Sequence, residues 1–337
     1  MRWSYLLTPL SPVYGAVVRT RAAAYRHGLL KSHDCGLPVV SVGNLTFGGT
    51  GKTPMVIALA QDLIKSGRRP AVLTRGYGRK GAEPLVLMGP EIQISAKQAG
   101  DEPLELGQRL PGVPIIVDAD RLRGGLRAAE LGADIVILDD GFQHLRLRRD
   151  LDLVLLDAGD PWGGDRLPPQ GRLREPLGAL GRASAVIITK VDPAADRPPQ
   201  DIVLRITALC PDLPVLAARL VPQRIRTETG WVEPTELRGQ RVFAVAGLGR
   251  PEGFRTLLDS AGAEIVGYRW FADHHPYGPE DQAWITREAQ KYNARVVTTA
   301  KDAVKLDAFD GLWVVETAMQ SLEGGWDRLW SLAPEIG

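Results

Sequence analysis

The stretch NLTFGGTGKTP, residues 44–54, decides how the rest of the chain is read. It follows the short apolar run PVVSVG (38–43) and leads into a helical pattern over 53–66. Glycine, lysine and threonine in succession, between a buried strand and a helix, are what a phosphate-binding loop requires. The backbone N–H groups at a helix start are unpaired and lie at the positive end of the helix dipole, so they cradle phosphate oxygens. Thr46, Phe47, Gly48, Gly49, Thr50, Gly51, Lys52 and Thr53 are therefore the candidate nucleotide-binding residues. In that role Lys52 bridges the β- and γ-phosphates and the Thr53 hydroxyl ligates Mg²⁺. Pro54 suits a first helical turn, which needs no N–H donor there. The strict pattern asks for glycine where this chain has Thr46, which leaves Gly48 and Gly49 to supply the loop's freedom.

Outward from this loop, the apolar runs stay short, β-branched and regularly spaced. PAVLT (70–74), PIIVD (114–118), DIVILDD (134–140), DLVLLD (152–157) and AVIITK (185–190) read as buried strands, continuous rather than alternating, as central parallel strands are. Helical segments such as 121–132 separate several of them. The pattern predicts a P-loop-like, mostly parallel α/β sheet with helices on both faces. Residues 192–202 read as a Pro- and Asp-rich loop at a lobe boundary. A second series follows: strands at 241–247, 263–270, 294–300 and 312–316, helices near 251–261 and 279–292. The expected division is an N-terminal segment 1–33, a nucleotide- and substrate-binding lobe 34–200, a linking segment 201–240 and a smaller α/β lobe 241–337.

Lysine and arginine number 41 and aspartate and glutamate 40, so global charge points to no polyanion such as nucleic acid. The two cysteines, Cys35 and Cys210, form no metal spacing or disulfide framework, which fits a reducing cytoplasm. Residues 1–33 hold Arg2, Arg19, Arg21, Arg26 and Lys31 and no acid. Residues 3–18 are uncharged but too short and too proline-broken for a membrane span, and an export signal is disfavoured beside a nucleotide motif. Ser11-Pro12 reads as a helix start, with Val13, Tyr14, Val17 and Val18 on helical spacing and Trp3, Tyr5, Leu6, Leu7 and Leu10 before them. Apolar, aromatic and basic residues without acids suit a helix in an anionic membrane interface. Packing on the protein's own core explains the pattern equally well.

A phosphate loop needs a metal partner, and IVILDDGFQH (135–144) ends a strand in Asp139-Asp140, where a Walker-B carboxylate belongs. Transfer to an alcohol also benefits from a base. AGDEP (99–103) offers Asp101 and Glu102 at a loop-to-helix junction, where an N-cap is the plainer role. FADHHPYG (271–278) offers His274 and His275, which form an acid–base pair with Asp101 only if the two segments meet in space. Arginines at strand ends, Arg75, Arg121 and Arg146, with Arg174 in GRLREP (171–176), suit clamping of phosphates. Tyr77, Gln143 and His144 lie in the same segments and complete the candidate substrate-binding set.

Together SVGNLTFGGTGKTP, TRGYGRK, AGDEP, DADR, LDDGFQH, GRLREP, ITKVD, DHHPY and TTAKDAVKL resemble the tetraacyldisaccharide 4′-kinase family, in order and spacing, from about residue 5 to about residue 320. The resemblance implies phosphorylation of the 4′-hydroxyl of a tetraacyl glucosamine disaccharide 1-phosphate by ATP and Mg²⁺, giving lipid IVA. It implies a peripheral enzyme at the cytoplasmic face of the bacterial inner membrane, with no obligate protein partner, and two α/β lobes joined by a linking element. It implies Asp101 as base, paired with His274 in preference to His275. Other classes remain as alternatives. TKVD (189–192) resembles the guanine-reading segment of G proteins, so a P-loop GTPase or metallochaperone-type switch is one. A membrane-associated ATPase and a soluble small-molecule kinase are others.

Overall fold

The computed structural model describes residues 10–77, 79, 81, 83–89, 94–306 and 308–336. Trp3, Tyr5, Leu6 and Leu7 lie outside the described residues. The chain begins with helix α1 (Leu10–Arg26) and enters the sheet at β1 (Val39–Asn44). There follow α2 (Lys52–Lys65), β2 (Pro70–Thr74), β3 (Leu85–Leu87), α3 (Ala96–Ala99), α4 (Asp101–Arg109), β4 (Ile115–Val117), α5 (Arg121–Glu130), β5 (Ile135–Asp139), β6 (Leu151–Asp157) and β7 (Ala185–Thr189). Beyond them come α6 (Gln200–Leu209), β8 (Val215–Thr227), β9 (Gly230–Val232), β10 (Arg241–Ala246), α7 (Glu252–Ser260), β11 (Glu264–Trp270), α8 (Pro279–Lys291), β12 (Arg295–Thr299), α9 (Ala300–Ala303), β13 (Leu312–Ser321) and α10 (Asp327–Trp330).

One hydrogen-bonded sheet runs through the molecule in the order β11-β10-β12-β13-β8-β7-β6-β1-β5-β2-β4-β3, with β9 attached to β8. The pairs from β8 through β7, β6, β1, β5 and β2 to β4 are parallel, as are those from β13 to β11. The two parallel blocks meet at the antiparallel pair β8–β13. Central strands β1, β2, β5, β6 and β7 are buried at every position, because helices cover both faces and leave no side chain a route to water. On one face Met55, Ile57, Leu59 and Leu63 of α2 pack on Val40, Val42, Ile137 and Leu153. Trp326, Leu329, Trp330 and Ile336 complete that same core, so the chain's last turn returns to the face covered by the phosphate-loop helix. Trp330 Nε1 donates to Asp62 of α2 at 2.7 Å.

β8 was not expected from its sequence, and α6 begins at Gln200, inside the stretch 192–202 read as loop. The 13 residues of β8 include Arg219, Pro222, Arg224 and Arg226, which break any apolar pattern. Pro222 is tolerated because the register of β8 against β13 shifts at Glu316/Thr317, and a proline fits a ladder at such a bulge. Helix α1 already includes Ser11, so Ser11 is no N-cap; its hydroxyl donates to Leu167 O at 3.2 Å.

Candidate active site

The parallel strands deliver their carboxyl ends to one edge of the sheet, where open α/β sheets take ligands. β1 runs there into the loop 44–51. Gly51, in the left-handed region at φ 85°, caps α2. Thr46 needs no such conformation: it bridges Leu173, and Phe47 N donates to Arg172 O at 2.7 Å, so the first half of the loop is zipped to 172–174. The second half is held from below and beside. Asn44 Nδ2 donates to Thr50 Oγ1 at 3.1 Å, and Thr189 Oγ1 donates to Thr50 O at 2.7 Å. Lys190 Nζ donates to Gly49 O at 2.6 Å while pairing with the buried Asp157 at 2.8 Å. Thr189, Lys190 and Asp157 were not among the expected site residues. The TKVD segment was the available signal, and in this fold it braces the phosphate loop.

At the end of β5 the two aspartates have different surroundings. Asp140 lies in the left-handed region at φ 53° and faces two cations, Lys52 at 3.5 Å and Arg174 at 2.8 Å. Burial pushes its carboxyl up, but Lys52 and Arg174 more than offset this and hold it below the usual carboxylate range. Asp139 is buried, accepts from the Thr74 hydroxyl at 3.0 Å through Oδ2, and leaves Oδ1 buried without a partner. Burial first, then the charges of Glu102 and Asp140, push it up to about 7. Such an orphaned oxygen beside Lys52 fits a cation. Among the described residues no three carboxylate, histidine or cysteine side chains form a metal cage. A donor set this small suits Mg²⁺, which keeps waters and takes ligands from nucleotide phosphates. The backbone here tolerates no added atom: a Cβ on Gly43 would lie 2.6 Å from Phe142 N, two residues past Asp140.

Asp101 is the first residue of α4, and its N-cap is Gly100 at φ 95°, so the plain capping role falls to another residue. Asp101 Oδ2 meets His274 Nδ1 at 3.0 Å across 173 residues of sequence. His274 itself sits at φ 61°. Burial raises Asp101, but His274 and Lys305 outweigh it and hold the carboxyl below its ordinary range. His275 turns away, meeting Asp281 at 2.9 Å and stacking on Phe271 with centroids 4.5 Å apart. Glu102, the second residue of α4, is the first of the charges that raise Asp139 at the end of β5. Farther along α4, Glu105 and Arg109 are both buried, and Arg109 reaches the bulge of the β8–β13 pair. It donates to Thr317 O at 2.7 Å and to Gln223 Oε1 at 2.9 Å, and pairs with Glu316 at 3.4 Å. Glu316 also holds Arg224 of β8 at 2.8 Å.

The remaining expected residues are placed unevenly. Tyr77 is exposed, its ring centroid 6.2 Å from that of His274, and Arg75 is also exposed. Arg121 is buried, donates to Asp118 O, and is pulled down by burial against the opposing charges of Asp139 and Asp140. Gln143 Nε2 donates to Asn44 O at 3.0 Å, and its Oε1 accepts from Arg174. His144 is pushed down to about 4 by burial and by Arg121, Arg149 and Arg21, which keeps it neutral. Its Nε2 is buried without a partner. Arg146 is apart from this group, paired with Asp120 at 3.1 Å.

A phosphate loop, a strand-end carboxylate pair and a carboxylate–histidine couple on one edge of a parallel sheet fit a P-loop phosphotransferase that acts on an alcohol. The comparisons narrow the class. A profile of tetraacyldisaccharide-1-P 4′-kinase, LpxK, matches residues 3–330, and the chain belongs to that family. Tetraacyldisaccharide 4′-kinase of Geobacter sulfurreducens is 43% identical over 300 residues, covering 88% of this chain and 82% of that one. The same enzyme of Anaeromyxobacter dehalogenans (strain 2CP-C) is 43% identical over 327 residues, covering 92% and 85%. The crystal structure of the "apo" form of LpxK from Aquifex aeolicus in complex with ATP superposes with a TM-score of 0.79, at 31% identity, over 99% of both chains. The kinase reading thus displaces the GTPase, metallochaperone and ATPase alternatives.

Proposed function

We infer that this chain transfers the γ-phosphoryl group of ATP to the 4′-hydroxyl of a tetraacyldisaccharide 1-phosphate, with Asp101 taking the hydroxyl proton. The observation that carries the assignment of the base is the 3.0 Å contact between Asp101 and His274, two segments that only the fold brings together. Both close contacts of Asp101, with His274 at 3.0 Å and Lys305 at 2.9 Å, fall on Oδ2. Oδ1 carries no hydrogen bond among the described residues and is left for the acceptor. The sugar O–H bond breaks toward Oδ1 as the oxygen attacks the γ-phosphorus. The bridging P–O bond breaks in turn, and its electron pair leaves with ADP. Positioning and charge neutralisation dominate such a transfer. Lys52 and the N–H groups of 49–53 hold the β- and γ-phosphates. Asp139 and the Thr53 hydroxyl, with Asp140 beside them, would hold Mg²⁺, which would supply charge neutralisation at those phosphates. Arg174 keeps Asp140 ionised and oriented. Arg75, Tyr77, Arg121, Gln143 and His144 line the acceptor side.

The expected result for Asp101→Asn is a fall in kcat of about 10²–10⁴-fold with ATP affinity retained. A wild-type rate of label transfer from ATP to the lipid disaccharide in that variant refutes the base.

We further propose that the enzyme docks peripherally on the cytoplasmic leaflet through α1. No helix among the described residues is long and apolar enough to cross a membrane. α1 has two sides: Tyr14 faces inward and donates to Arg174 O at 2.9 Å, while Val13 and Val17 are about 60% exposed. Leu29 and Leu30 extend that surface beside Arg21. Val17→Glu with Leu29→Glu should abolish flotation with anionic vesicles; unchanged flotation refutes the docking face.

A further inference from the structure

The segment TTAKDAVKL (298–306) was not among the expected site residues, yet it sends two lysines to the Asp101–His274 pair. Thr299 caps α9, accepting from Asp302 N at 3.2 Å, and its hydroxyl donates to Asp302 Oδ2 at 2.8 Å. The same carboxylate accepts from Gly247 N at 3.0 Å, at the end of β10. Asp302 is fully buried, so the turn is fixed to the second parallel block. Lys301 lies in α9 and Lys305 two residues beyond its end, and both ammonium groups reach the Asp101–His274 pair.

Lys305 Nζ lies 2.9 Å from Asp101 Oδ2, the oxygen that meets His274, and 3.7 Å from Asp302 Oδ1. Its side chain is only 8% exposed. Lys301 Nζ pairs with Asp273 at 2.8 Å and lies 3.5 Å from His274 Nε2. An ammonium can only donate, so it favours an Nε2 that carries no proton. That leaves the imidazole proton on Nδ1, facing Asp101. Burial pulls Lys301 down, but Asp273 carries it up and keeps it charged. The charged groups against the pair are Lys305, Lys301 and Asp273, whose Oδ1 lies 3.8 Å from His274 Nε2, with Asp302 behind Lys305; all come from the block that supplies His274, while Tyr77 faces the imidazole from the other.

We propose that Lys305 and Lys301 are positioning residues for phosphoryl transfer. Lys305 pins one carboxylate oxygen of Asp101 so that the other presents to the acceptor hydroxyl, and Lys301 fixes the tautomer of His274 that supports it. This rests on the reading of Asp101 as base. Both lysines belong to the block opposite the phosphate loop, so the base is complete only when that block is in place.

The test measures kcat, KM and ATP affinity for Lys305→Met and Lys305→Arg, and for Lys305→Met combined with Asp101→Asn. Lys305→Met is expected to lower kcat about 100-fold, the scale of a displaced catalytic group, with ATP affinity unchanged. Lys305→Arg, which keeps the charge and changes the contact, should recover part of this, and it serves alone if the methionine variant does not fold. With Asp101→Asn already present, Lys305→Met should cost nothing further, because both act through one carboxylate. Lys301→Met should cost about tenfold, the worth of one charge-assisted hydrogen bond, and nothing when His274 is alanine. A wild-type kcat in both Lys305 variants, with Asp101→Asn inactive, overturns the proposal and leaves the base standing. An undiminished Lys305→Met effect on top of Asp101→Asn also overturns it. An active Asp101→Asn overturns the base itself.

Discussion

Glu105 is the group whose titration should be visible in the stability of the whole chain. It lies one helical turn beyond Asp101, fully buried, with Arg109 3.8 Å away. Burial first pushes its carboxyl up, Arg109 opposes, and Glu102 adds to the rise; the result is about 7 against an ordinary 4.5. Between those two values the folded chain keeps a proton that the unfolded chain has released. Native protons then outnumber unfolded ones, so stability falls as pH rises through this window and is level again above it. The rise from 4.5 to about 7, at about 1.36 kcal/mol per tenfold in proton affinity, sets the loss at about 3 kcal/mol. Glu105→Gln removes the titration and leaves Arg109 its partners Glu316, Thr317 and Gln223. Urea unfolding of both proteins at pH about 5 and about 8.5 reads the effect. The variant should gain about 3 kcal/mol on the wild type between the two conditions, with little difference at the lower pH. Parallel pH dependence in the two proteins, or a wild type that gains stability toward the alkaline side relative to the variant, refutes the assignment.

Other expectations follow from single contacts. Gly43→Ala would place a Cβ 2.5 Å from Phe142 Cβ and 2.6 Å from its amide nitrogen, neither of which can yield without moving Asp140. It should cost about 1–3 kcal/mol in thermal unfolding and weaken Mg²⁺-ATP binding; a variant with wild-type melting and binding refutes the close approach. Lys190→Met removes the donor to Gly49 O, so ATP affinity should fall about tenfold by calorimetry while kcat at saturation is held. Unchanged affinity would mean the brace does not shape the loop.

The parallel sheet and its phosphate loop were legible because buried strands and glycine-rich turns write themselves locally. Asp139-Asp140 and Asp101 were legible for the same reason, each lying at an element boundary. β8 was not: its arginines answer partners on other elements, Arg224 with Glu316, and its proline sits at a bulge that only pairing with β13 creates. The residues alone left His274 and His275 open and only the family resemblance favoured His274, since adjacent residues differ only in which way a left-handed backbone turn at His274 sends them. Lys301 and Lys305 look like ordinary surface lysines until β10 and Asp302 place their turn against α4. Arg174 was expected to face a phosphorylated acceptor; in the structure it is engaged with Asp140 and Gln143. Thr46, a departure from the usual loop pattern, is explained by its bridge to Leu173.

The return of Trp326, Leu329, Trp330 and Ile336 to the core beside α2 bears on how the protein is made. Translation delivers the nucleotide-binding helix early and the tryptophans that roof it much later. Until they emerge, the part of that helix not already packed on the strands stays uncovered. Removal of the chain from Trp326 onward would therefore injure a helix encoded far upstream of it.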